Sequence, residues 1–148
     1  MTLPFNDGLQ EAIEAFVVTN HPWITFVPVV TQSGVVAHTA NIARYLVRST
    51  KVNIELKMTI TGAGTAANGI IISGVVAAIR PTGSTGKSRV VGTGIIWDGA
   101  VPYVGSVIYM GADDFRLFTD GRASEVGITP NFALANNDEI GMNITYER

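Results

Sequence analysis

The chain has 148 residues and no cysteine, with 47% apolar residues, only 15% charged ones and a formal net charge of -2. That length suits one domain with a sizeable core. The charge balance excludes the basic stripe of a nucleic-acid binder, and the missing thiols exclude disulfides and thiolate chemistry. Charge below about a quarter of residues points to a surface partly covered by subunit contacts. No apolar run approaches the roughly 18 residues that span a bilayer, so no membrane insertion is expected. The first residues carry acids where a signal peptide would carry Lys or Arg, so no export signal of that kind is expected.

Residues 1–20 form an anchor and linker segment ahead of a β domain at 21–148. Asp7 and Gln10 have capping-box spacing. Leu9, Ala12, Ile13, Phe16 and Val17 follow at i, i+3, i+4, i+7 and i+8, which predicts a short N-terminal α-helix with one apolar stripe. A helix this short is marginal alone in water, so its stripe must dock on its own domain, on symmetry mates or in a larger assembly. Leu9, Ile13, Phe16 and Val17 are the candidate assembly residues. Asn20, His21 and Pro22 then break the pattern.

From Trp23 onward, short strands alternate with turns. Strands are predicted near 23–30, 34–38, 41–48, 51–61, 69–79, 88–97, 101–110, 114–118, 122–128 and 138–147. The clearest is Lys51 to Thr61, where Val52, Ile54, Leu56, Met58 and Ile60 alternate with polar residues. Such a strand buries one face and wets the other. Ile140, Met142, Ile144 and Tyr146 repeat the pattern near the end. Residues 70–79 are apolar on both faces and are expected as a central or intersubunit strand. The fold class is all-β, an antiparallel jelly-roll-like sandwich.

Several motifs look chemical without the context they need. Gly83 to Ser88 resembles the end of a P-loop, but Pro81 stands where Gly is required and a strand follows instead of a helix. The Gly62-Ala63-Gly64 loop lies between strands and reads as a hairpin. His21 and His38 lack metal-ligand spacing, so no metal or cofactor is expected. Asp113-Asp114 and Asp138-Glu139 are neighbours at strand entries, facing opposite ways, and suit turn capping better than catalysis. No enzyme activity is expected. The loop Trp97 to Tyr103 combines two aromatic rings with an acid, so Trp97, Asp98 and Tyr103 are candidate glycan-binding residues; the alternative is that both rings pack into the core.

The chain resembles the C-terminal jelly-roll domains of tailed-bacteriophage tail and minor structural proteins. The resemblance rests on Trp23 leading to Pro28, Gly34, Arg44-Tyr45, Lys51-Val52, Gly62-Ala63-Gly64-Thr65, Ser73, Asp138-Glu139-Ile140 and Thr145-Tyr146-Glu147. It implies a homotrimeric virion component, assembled in the host cytoplasm, either binding host-surface polysaccharide or decorating the particle. The N-terminal helix would then grip other virion proteins or the threefold bundle. A stand-alone lectin-like module is the alternative.

Overall fold

The fold follows from two strands whose residues alternate strictly in polarity. In the computed structural model, which describes residues 22–81, 89–111, 113–119 and 124–148, these strands are β5 (Lys51–Ile60) and β10 (Glu139–Glu147). They pair antiparallel from Glu139 opposite Thr59 to Glu147 opposite Lys51. Cross-strand neighbours share a face, so Val52, Ile54, Leu56 and Met58 meet Tyr146, Ile144, Met142 and Ile140 on one buried surface.

The other strands extend this pair on both sides. They are β1 (Ile24–Thr25), β2 (Val29–Gln32), β3 (Gly34–Val36), β4 (His38–Arg48), β6 (Ile71–Ser73), β7 (Arg89–Asp98), β8 (Val101–Tyr109) and β9 (Phe115–Thr119). The result is one antiparallel ten-stranded sheet in the order β1-β4-β5-β10-β7-β8-β9-β6-β2-β3. Ala37 alone separates β3, at one end of that order, from β4, near the other, so the sheet has to curl. Thr61 and Gly62 close the seam by donating backbone N–H groups to the Ala37 carbonyl, at 2.9 and 3.0 Å. Inside the curl, Val30 and Val36 share one core with Ile60, Ile96, Phe115, Leu117 and Leu134.

The all-β, antiparallel expectation holds, and both strongly alternating segments fall where their periodicity places them. Residues 70–79 differ. Only Ile71–Ser73 is strand; Gly74, at φ 100°, turns the chain, and Ala77–Ile79 form a 3₁₀ turn. Val75 and Ile79 are buried by this turn, and the Tyr146 hydroxyl donates to the Ile79 carbonyl at 2.6 Å. Burial raises the Tyr146 hydroxyl far above the usual tyrosine range, so it stays a donor. The apolar run is therefore a lid over the end of the core, not a doubly covered strand. Of the strand expected at 122–128, the described residues make only an isolated bridge between Gly127 and Asn131. The helix expected around Leu9, Ile13, Phe16 and Val17 lies outside the described residues, as does Gly83 to Ser88.

Two buried polar side chains fasten the long loops. Gln32, 1% exposed, donates to the carbonyls of Phe132 (2.8 Å) and Asn68 (3.1 Å) and accepts from the Leu134 N–H (2.9 Å). Space is made for it by glycines, since a Cβ at Gly64 would run into its Oε1 and Gly127 sits at φ 102° against its Nε2. Asp138, 2% exposed, accepts from the N–H groups of Ala135 (2.7 Å) and Gly99 (2.9 Å). It caps a turn, as its place at a strand entry suggests.

Two substitutions test this account. Leu56→Asp buries an unpaired charge on the core face and is expected to abolish cooperative melting; a soluble variant with a sharp transition would mean the strand faces are reversed. Gln32→Leu strands three buried backbone groups and should cost about 3 kcal/mol, lowering Tm by roughly 10 °C in calorimetry.

Candidate functional site

A concave feature of the described surface lies on the outer face, over the same two strands that organise the core. Successive outer rows run Leu46–Asn53–Thr145, Arg44–Glu55–Asn143–Thr93 and Lys57–Gly141–Ile95–Val104. Two hollows of about 380 Å³ each lie over these rows and share Glu55 and Asn143, which makes them one trough. The first begins at Trp23 and Leu46; the second ends at Ile95 and Val104. Gly141 contributes no side chain between Lys57 and Ile95, and that gap deepens the floor.

The two banks differ in chemistry. On the β4–β5 side, Arg44 holds Glu55 through Nη2 at 2.6 Å and Nε at 2.8 Å, and its guanidinium lies 4.7 Å from the Trp23 ring centroid. Thr145 Oγ1 donates to Asn53 Oδ1 at 3.0 Å, and Lys57 Nζ stands 3.8 Å from Glu139. On the β7–β8 side, Ile95 and Val104 form an apolar bank, with Val104 61% exposed. Such a trough suits an amphipathic occupant, apolar along one side and polar or charged along the other.

The residues expected to bind a glycan are divided by the sheet. Trp97 is paired with Pro102 and Glu139 on the outer face and is 37% exposed. Tyr103 is paired with Ile96 on the core face and stacks on Phe132, with ring centroids 4.9 Å apart. Asp98 alternates to the side of Ile96, so no one surface carries all three side chains. Partial burial, and secondarily the Asp138 carboxylate, raise the Asp98 carboxyl above the usual carboxylate range.

Other charged residues do structural work. Asp113 pairs with Arg80, while Arg116 holds Glu125 at 2.8 Å and Asp114 at 3.3 Å. Asp113 and Asp114 thus anchor two arginines, where turn capping was expected. His38 Nδ1 lies 3.0 Å from the Val36 carbonyl, to which it donates. Among the described residues, no group of three or more His, Asp or Glu is placed to hold a metal ion. No described helix is long and apolar enough to cross a membrane. No protein-family model, curated protein or solved structure matches the chain.

The trough was hidden in the sequence because on β5 and β10 its outer residues are the polar half of the alternation, which reads as plain solvent face. The one available signal was Gly141, a missing side chain in the middle of the pattern.

Asp98 gives a pH test. A carboxyl raised in the fold is better tolerated protonated, so its destabilising effect is absent below the unfolded value near 3.8 and grows as pH rises through the folded one. Asp98→Asn should therefore melt above the parent at pH 7, and the gap should close towards pH 3. An equal gap at both pH values would remove the electrostatic explanation.

Proposed function

We propose that the chain is a non-enzymatic structural component of a bacteriophage virion, a minor tail or capsid decoration protein, with a jelly-roll-like wrap and homotrimeric assembly. The particle and the threefold symmetry come from the resemblance of residues 22–147 to phage jelly-roll domains. The observation that carries self-association is an outer-face row crossing six strands, Val90–Ile108–Arg116–Ile71–Thr31–Val35. Its ends are bare, with Val90 61% and Val35 78% exposed, and its central arginine is already neutralised by Asp114 and Glu125. Four of the six residues are apolar, and the arginine enters a contact already paired, which offsets part of the cost of removing it from water. The ion pairs of Asp113 and Asp114 and the backbone bonds of Asp138 support a structural role for these acids. Light scattering on a sizing column is expected to give three times the 15.7 kDa chain mass. Val35→Asp/Val90→Asp should lower that mass with the circular dichroism unchanged. A monomeric parent at tens of micromolar, or a double variant of unchanged mass, would overturn the reading.

Host-surface polysaccharide remains a second reading, favoured by one observation. Trp97 stands exposed beside the Glu139 carboxylate on the outer face, an aromatic platform next to a hydroxyl acceptor. In a Trp23→Phe chain, Trp97 is the sole indole. Its emission should shift when host polysaccharide is added; a flat titration at millimolar sugar units would end this reading.

A further inference from the structure

We infer that the head of the trough is a binding site for a carboxylated saccharide. Arg48 takes the carboxylate, Trp23 packs against a C–H face of the sugar ring, and Asn53, Asn143 and Thr145 bond its hydroxyls. This rests on neither the virion reading nor the Trp97 platform, and it places the sugar at the opposite end of β5 and β10 from Trp97.

Three observations converge. The first is charge. The charged side chains that line the two hollows are Arg48, Glu55 and Lys57. Glu55 is held by Arg44, and Lys57 stands 3.8 Å from Glu139. Arg48 is exposed and has no ion pair among the described residues. Lys51 lies beside it in register, and neither pairs with Glu147 farther along that row. The head of the trough thus offers an unneutralised guanidinium, whose fork matches a carboxylate.

The second is the hydrogen bonding left over. β5 and β10 are interior strands paired on both sides, so their backbone groups are occupied and a peptide cannot join them as a further strand. The floor offers side chains only. Thr145 Oγ1 donates to Asn53 Oδ1, which leaves the Asn53 amide hydrogens to donate and the Thr145 oxygen to accept. The exposed Asn143 adds an amide donor and acceptor one row away, about 7 Å along the strand. Donors and acceptors mixed in this way suit hydroxyls, each of which does both.

The third is the aromatic ring. Trp23 keeps 42% of its surface exposed at this head, and the Arg44 guanidinium, 4.7 Å from its centroid, holds it in place. An exposed indole beside the amides gives the C–H face of a sugar an apolar seat, and a ring fixed before binding loses little freedom. The hollow of about 380 Å³ is at the small end for ligand sites. At Glu55 and Asn143 it opens into the second hollow, where Ile95 and Val104 can take the next unit of a saccharide chain.

Trp97→Phe leaves Trp23 as the sole indole of the full-length chain, so its emission reads this site and not the Trp97 platform. Titration at low salt with trigalacturonate and with N-acetylneuraminate is expected to give a saturable change with at least one of them, at a dissociation constant of about 1 mM or below. Maltotriose and short polyglutamate, which carry only the hydroxyls or only the carboxylates, should bind at least about tenfold more weakly. In the same chain, Arg48→Gln should weaken the acidic sugar at least about tenfold, and Asn143→Ala about fivefold, with melting unchanged in both. A flat titration with both acidic sugars at about 20 mM would overturn the inference, as would an equal response to maltotriose or an unchanged affinity in Arg48→Gln. Polyglutamate binding as tightly as the sugars would show a site for anions or acidic peptides, and that too would overturn it.

Discussion

The structure depends on the register of β5 against β10. Side chains alternate every residue, so a slip of one position would carry Val52, Ile54, Leu56 and Met58 into solvent and put Asn53, Glu55 and Lys57 inside. Glu139 to Glu147 of β10 lie opposite Thr59 to Lys51 of β5, and both strands are apolar on the same side, so only alignments of this parity bury both stripes. The other strands inherit that choice. β7 pairs with β10 from Trp97 opposite Glu139, and β4 pairs with β5 from Arg48 opposite Lys51, so the core face propagates outwards. The same register fixes the outer face, where Lys57, Gly141 and Ile95 stand in one row and open the trough between them.

A curled sheet leaves its long loops at the open ends, and here buried polar groups hold them together with buried apolar side chains such as Val75, Ile79, Val126 and Leu134. Gln32 ties the 62–69 loop to the 132–134 segment with three hydrogen bonds. Asp138 ties the β7–β8 turn to the turn before β10. Tyr146 ties the 3₁₀ lid to the last strand. Each group sits where its partners are backbone N–H or C=O groups that would otherwise be buried without bonds. The buried polar side chains are thus placed at loop closures, while Arg44, Asn53, Glu55, Lys57, Asn143 and Thr145 stay on the outer sheet face.

How much of this could be read beforehand follows from the range of each interaction. The Lys51–Ile60 and Glu139–Glu147 strands were legible because period-two alternation is local. The hairpin turn at Asp98-Gly99 was legible too, since Gly99 adopts φ 56° there. Ile70 to Ile79 was not, because apolarity says that residues are buried but not in which conformation; the positive φ of Gly74 makes that choice. Gln32 reads as an ordinary polar position in a strand, and nothing nearby announces partners about a hundred residues away, so a contact of that range was illegible. Trp97 and Tyr103 lie close in sequence, and only the pairing of Ile96 with Tyr103 shows that the hairpin sends them to opposite faces.

The ends of the sheet decide how the molecule can meet partners. β1 is two residues long and β3 is three, and the chain passes from β3 through Ala37 directly into β4. Neither β1 nor β3 offers many unpaired N–H and C=O groups, although β1 covers only Arg44 and Tyr45 of the eleven-residue β4. Besides that edge, contacts can use a face. The inner face is filled by the core, which leaves the outer one, and there, besides Trp23 and Trp97, exposed apolar side chains stand in two separate places: Val104 on the bank of the trough, and Val90 with Val35 at the ends of the transverse row. Gly141 makes the first concave; the second lies along an unbroken ladder. A concave strip suits a single slender segment, whereas a row running across six strands presents a broad surface suited to another folded subunit.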